Sequence, residues 1–187
     1  MRIGIISVPE DLLPAGFWGN KPAKITPVKQ PEQAAQIDGL LLAGNDVFAL
    51  HSYLTENNLI GFLQTQIQKG MPVWGMGAGL YLMAKTKKDR VLASLDVMDV
   101  VAEREVSGGR YFAPLYIQAF GFEPVRAVFH RPAYITQVEP QVGIMAYYRG
   151  KIIMARQGNM LASAFFTEKG ETRPSAYFLQ MVEDNFE

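Results

Sequence analysis

The sequence contains no cysteine. Disulfides, thiolate metal ligands and a cysteine nucleophile are therefore excluded. Histidine is scarce as well. His51 and His130 are the only two, too few for a multi-histidine site, so no metal is expected. No apolar run reaches the roughly 18 residues of a membrane span. The N-terminal MRIGIISV is too short and too strand-like for a signal peptide. A cytoplasmic protein with no membrane partner is expected. Neither charge is in excess, with 18 basic residues against 18 acidic ones and no long run of either sign. A phosphate backbone calls for a basic face, so nucleic acid is not an expected partner.

What is present is an ordinary globular mixture, 49% hydrophobic and 19% charged over 187 residues. That length fits a single domain spanning residues 1–187 with a full core. Arg2–Val8 is a short Ile/Val-rich run, the pattern of a strand buried on both faces. Pro14, Gly16, Gly19 and Pro22 follow, so any helix beginning at Glu10 is short or broken. Residues 23–29 read as a strand with a proline, near a sheet edge. Residues 31–37 allow one helical turn, and residues 38–43 form a third buried strand. Between Asp46 and Gly70, apolar residues fall at helical spacing in two segments separated by Asn57–Asn58, and Gly70 is a fitting stop. Residues 71–75 read as a fourth strand and residues 78–87 as a helix. The alternation predicts an α/β fold, three-layer αβα and flavodoxin-like, with a mostly parallel central sheet.

Beyond Lys88 the texture becomes strand-like, over residues 91–105, 111–120, 127–138, 143–149, 151–156 and 161–166. Arg149–Gly150 is placed as a hairpin turn. A final helix runs through Glu183 with Pro174 in its first turn. Tyr111, Phe112, Tyr116, Phe120 and Phe122 are read as core. Phe17–Trp18, in a Gly/Pro-rich loop, is read as a contact surface.

The stretch MPVWGMGAGL at residues 71–80 carries the most chemistry. A strand, a glycine-studded turn and a helix in that order is how several α/β enzymes lift a nucleophile off a sheet. Here the apex is Gly77, which has no side chain. Two plainer readings stand beside this one. Gly75, Gly77 and Gly79 could serve a tight strand-to-helix crossing. A dinucleotide fingerprint fits less well, because it follows the first strand of its unit and needs a glycine where Leu80 stands. The free N–H groups after Gly77 could hold an anion.

Four blocks, KQPEQAAQIDGLLLAGND at 29–46, KGMPVWGMGAGLYLMAK at 69–85, VVAER at 100–104 and RQGNMLASAFFTE at 156–168, together resemble the glutaminase subunit of pyridoxal phosphate synthase. That is a class I glutamine amidotransferase family. The resemblance runs in order through nearly the whole chain. It implies a class I glutamine amidotransferase-like fold and a synthase subunit as partner. It also implies a cysteine at the turn, activated by a histidine that a glutamate orients, with backbone N–H groups holding the oxyanion. Matched position by position, the cysteine site holds Gly77, the histidine site holds Phe166 and the glutamate site keeps Glu168. The loop glycine is Gly44, followed by Asn45 and Asp46. Two family arginines are kept as Arg104 and Arg131, and the Gln-Gly of the first loop is Val8–Pro9.

Removing a triad member costs roughly 10⁶-fold in turnover in a serine hydrolase. The resemblance therefore implies a relative without glutaminase activity. No cofactor is implied. The candidate ligand residues are Gly44, Asn45, Asp46, Ala78, Arg104, His130 and Arg131, and the two arginines are suited to a small carboxylate or an amino acid. Asp46 is read first as a helix N-cap. The alternative is an enzyme of altered chemistry that uses Asp46, His130 or Glu168. A third reading is a structural subunit that self-associates through Phe17–Trp18.

Overall fold

The computed structural model describes residues 1–88, 92, 94–105 and 108–186. Its strands are β1 Arg2–Val8, β2 Lys24–Pro27, β3 Gly39–Gly44, β4 Val73–Gly77, β5 Ala84–Lys87, β6 Met98–Arg104, β7 Tyr111–Leu115, β8 Val125–Phe129, β9 Ala133–Val138, β10 Gly143–Tyr148, β11 Lys151–Gln157, β12 Met160–Ser163 and β13 Phe166–Thr167. The helices are α1 Pro31–Ala34, α2 Val47–Glu56, α3 Ile60–Gln68, α4 Ala78–Met83 and α5 Arg173–Asp184.

The main sheet has the order β2-β1-β3-β4-β12-β11-β9-β6-β5, with β10 on β11. Pairing is parallel from β2 through β12, antiparallel from β12 to β6, and parallel again between β6 and β5. β3 and β4 lie in the middle of the parallel half and are buried at every position. This is why their sequences are continuous apolar runs and do not alternate.

Alternate residues of a strand point to opposite faces, and β3 shows which helices lie where. A Cβ on Gly39 would meet Val182 and Phe178 of α5, whereas one on Gly44 would meet Leu50 of α2 and Ala78 of α4. The sheet is therefore the middle of three layers, as expected. Trp74, fully buried, anchors the α5 side. Its ring lies 5.8 Å from both Phe17 and Phe178, and its Nε1 donates to Ser163 Oγ at 3.0 Å. Burying a side chain of this kind contributes about 2–3 kcal/mol.

Several boundaries differ from the sequence reading. The helix expected over 78–87 stops at Met83, and the chain turns at once into β5. Residues 127–138 are two strands in different sheets. Arg131 takes φ 43° between them, and Pro132 follows. Residues 161–166 are likewise divided, and β13 joins β8 and β7 in a small antiparallel sheet. Residues 91–105 form a strand only from Met98, and Val91 and Ala93 lie outside the described residues. Arg149 and Gly150 both have positive φ and close the expected hairpin between β10 and β11.

Two aromatic assignments are corrected. Phe17 is buried and packs edge-on against Trp18 and over Trp74, so its ring belongs to the core, with Trp18 half-buried beside it, and does not offer a contact surface. Phe112, Tyr116 and Phe122 are exposed. Phe112 points outward because Ala113 and Leu115, its neighbours of opposite parity on β7, take the inward face. No helix among the described residues is long and apolar enough to cross a membrane.

Candidate functional site

The site grows from the end of β4. Gly77 pairs with Gly44 across the parallel ladder and takes φ 58°, ψ −110°, a conformation that L side chains rarely adopt. The turn is as sharp as the sequence implies. The three glycines have different reasons. A Cβ on Gly79 would lie 2.0 Å from the Leu42 carbonyl oxygen, and one on Gly75 would lie 2.5 Å from Met83 Sδ. Those two glycines let α4 cross β3 and β4 closely, as the plainer reading has it. At Gly77 a Cβ would stand 2.5 Å from the Gly44 carbonyl oxygen and 2.8 Å from Phe166 Cζ. Phe166, on β13, thus closes over the turn.

Beside the turn lies a cavity of about 200 Å³ lined by Asn45, Asp46, Phe48, Ala78, Arg104 and Arg131, among others. The loop after β3, the start of α4, the end of β6 and the β8–β9 turn thereby converge. A neighbouring cavity of about 320 Å³ shares Asn45, Asp46 and Arg131 and adds Arg110 and His130. A third, about 360 Å³, shares Arg110 and His130 and reaches Phe166 and Glu168. Gly44 lies buried beneath, on the ladder with Gly77. Six of the seven expected ligand residues therefore border two adjoining cavities, and Glu168 lies on the far side of His130.

The side chains in these cavities are constrained in different ways. Asp46 Oδ1 accepts from the Ala49 N–H at 2.8 Å, so this carboxylate caps α2 as expected. The Arg104 guanidinium lies 5.1 Å from the Phe48 ring centroid and 5.6 Å from that of Tyr81, stacked between two aromatic faces. His130 meets Phe166 edge-on at 5.6 Å. Burial, and then the charge of Arg110, hold its imidazole below the ordinary histidine range. Glu168 is fixed through its backbone, whose N–H donates to Arg126 O at 3.0 Å. Among the described residues, Asp46, His130 and Glu168 make no hydrogen bond to one another, so they do not form a base-and-orienter relay.

Three contributors were missed by the sequence reading. Phe48 follows Val47, whereas the buried positions of α2 are Val47, Leu50 and Leu54, so helical spacing turns Phe48 outward beside the loop. Tyr81 passes as an ordinary core residue. Arg110 follows Gly108–Gly109 and brings a cation to the rim of two of the cavities.

Comparison with known proteins decides the family. The pattern of the SNO glutamine amidotransferase family matches residues 18–184. The chain belongs to this family. Among curated relatives, the pyridoxal 5'-phosphate synthase subunit PdxT of Carboxydothermus hydrogenoformans is 38% identical over 159 residues, covering 83% of each chain. The corresponding subunit of Thermotoga neapolitana is 35% identical over 83% of this chain and 85% of its own. A crystal structure of a glutamine amidotransferase superposes with a TM-score of 0.77 at 22% identity, covering 86% of this chain and 87% of the other. That likeness shows the fold. For this SNO-family chain, the α/β architecture with the sharp turn after β4 and the helices on both faces is thus the glutamine amidotransferase architecture.

Proposed function

We propose that this SNO-family chain is a non-hydrolysing, cytoplasmic, single-domain relative of the synthase glutaminase subunits. In this reading it is a binding or regulatory subunit that holds a small carboxylate or amino acid beside the Gly77 turn. One observation carries the reading: the apex of the turn bears no side chain, and the space over it is taken by the Phe166 ring. Glutamine hydrolysis by this family's route needs an attacking atom at the apex and a proton acceptor within reach. Gly77 supplies no attacking atom, and Phe166 accepts no proton.

The retained groups suit binding. Arg104 is held between Phe48 and Tyr81, and Arg131 lines the same cavity. Two guanidinium groups bordering one small space favour a carboxylate guest. The relatives' names as synthase subunits support a synthase chain as partner. Self-association is the alternative, and the exposed Phe112, Tyr116 and Phe122 would then supply the apolar contact.

The decisive assay is ammonia release from glutamine by the purified chain, alone and with a synthase subunit. No steady turnover is expected, together with a rise in thermal stability on adding glutamate or glutamine and recovery of the amino acid unchanged. Sustained ammonia release that is lost in Glu168→Gln or Arg131→Ala would overturn the reading. Co-elution with a synthase subunit is expected in gel filtration. A chain that elutes unchanged from such a mixture would exclude that partner.

A further inference from the structure

A further cavity, of about 310 Å³, shares no lining residue with those beside the Gly77 turn and lies at the C-terminal ends of β1 and β2. Its lining is Ile5 and Ser7 from β1, Ile25 and Pro27 from β2, Glu10 and Lys29 from the segments that follow those strands, and Tyr53 from α2. Ile5 pairs with Pro27 and Ile3 with Ile25, so Ile5, Ser7, Ile25 and Pro27 share one face of the sheet. Parallel strands are ordinarily joined by a crossover helix that covers this face. Here residues 9–23 form no helix, and Ile5 and Ile25 are left half-buried. The end of a parallel sheet beyond its strand C-termini is where open α/β folds take ligands.

The polar rim has a definite chemical character. Ser7 Oγ donates to the Pro9 carbonyl oxygen at 2.7 Å, and the Tyr53 hydroxyl donates to the Val28 carbonyl oxygen at 2.9 Å. With their protons committed, both oxygens offer only lone pairs to anything else that enters. The Glu10 carboxylate adds a charged acceptor. Its charge reaches Tyr53, whose phenol is pushed up first by burial and then by Glu10. Among the described residues of the lining, Lys29 is the one cation, and it stands 3.8 Å from Glu10. Both side chains of that pair are largely exposed, so each is free to exchange its partner for a ligand at little cost. The cavity thus presents three acceptors for a positive group, one cation for a negative group close beside it, and an apolar floor.

We propose that this cleft binds a free α-amino acid with a branched aliphatic side chain. The ammonium sits among Glu10, Ser7 Oγ and Tyr53 Oη, the carboxylate on Lys29, and the side chain on Ile5, Ile25 and Pro27. An α-amino acid carries its two charges one carbon apart, which matches the neighbouring positions of Glu10 and Lys29. A simple amine leaves Lys29 unused, and a simple carboxylate leaves the three acceptors unused. The inference does not depend on the reading of the Gly77 cavity.

The test uses L-leucine as probe and heteronuclear NMR on the full chain. Saturable shifts at Ile5, Ile25 and Tyr53 are expected, while His130 and Arg131 stay in place. Glu10→Gln and Lys29→Met, both surface changes that leave the fold intact, should each weaken binding about tenfold or more. The ligands 4-methylpentanoate and 3-methylbutylamine, each lacking one charge, should lose affinity to the same extent. The proposal is overturned by shifts centred on His130 and Arg131, by either singly charged analogue binding as well as L-leucine, or by no saturable shift at all.

Discussion

The ring of Phe166 stands over Gly77 so closely that a Cβ on the glycine would lie 2.8 Å from Phe166 Cζ. The two residues are therefore one steric unit, and Gly77 cannot take a side chain unless Phe166 or the Gly44 backbone shifts. Gly77→Cys should cost about 2–4 kcal/mol, from overpacking against Phe166 and Gly44 O together with the positive φ. In the Phe166→Ala background the same change should cost less, with a coupling of at least about 0.5 kcal/mol. Denaturant melts of the four members of the cycle measure this. Additive effects would mean that the ring is not what bars a side chain from the apex.

Aromatic residues of this chain fall into two groups that their local sequences do not separate. Phe17, in a Gly/Pro-rich loop, lies between Trp18 and Trp74, while Phe122, also beside glycine, is fully exposed. Phe17→Ser should destabilise by about 3–5 kcal/mol. Phe122→Ser should stay within about 0.5 kcal/mol of the parent. Thermal and chemical denaturation of both variants give the comparison.

The difference shows what could be read from the residues and what could not. β3 and β4 announce themselves because strands buried on both faces must be apolar throughout, whereas β1, expected to be the same, keeps Ile5, Ser7 and Val8 only half-buried. The cap at Asp46, the stop at Gly70 and the hairpin at Arg149–Gly150 follow from local backbone chemistry. The breaks at Arg131 and after Ser163 do not. Each divides an apolar run between two sheets, a decision made by the pairing of β13 with β8 and of β8 with β7, which no local propensity records. Within the site, the arginines and the Asn45–Asp46 loop were legible as residue types in a pattern. The stacking of Arg104 on Phe48 and Tyr81 was not, because it joins α2, α4 and β6, which are distant in sequence.

A second relationship sets acid stability. Glu171 is buried and accepts from Arg173 Nε at 2.8 Å, from Arg173 Nη2 at 2.5 Å and from the Arg126 N–H at 3.2 Å. Arg173 in turn donates to the carbonyls of Glu123 and Pro124 and ties α5 to the small sheet. Burial alone would raise the Glu171 carboxyl, but the Arg173 side chain and the backbone N–H groups of Arg126 and Arg173 outweigh it and hold it below its ordinary 4.5. A carboxylate whose folded value is depressed stabilises the fold above the unfolded value, and this is lost as pH falls through the folded one. Glu171→Gln should therefore cost on the order of 3 kcal/mol at pH 7, with the difference from the parent shrinking as pH falls below 4.5 and through the depressed folded value. An unchanged difference at acid pH would show that the charge is not what matters.

His130 gives the complementary case. Its imidazole is shielded on one side by the Phe166 edge and lies near the cationic Arg110, and both burial and that charge disfavour protonation. It should titrate below the unfolded value of about 6.5 and be neutral at pH 7. Between the folded and unfolded values the unfolded chain binds more protons. This contribution to stability is therefore intact above about pH 6.5 and declines as pH falls toward the folded value. Proton NMR of the imidazole ring gives the midpoint directly. Phe166→Ala should move it upward by admitting water, and Arg110→Gln should also raise it, but by less, since burial is the larger cause. A parent midpoint at or above 6.5 would show that Phe166 does not dry the space beside the turn, and the case for a closed, non-hydrolysing pocket would lose that support.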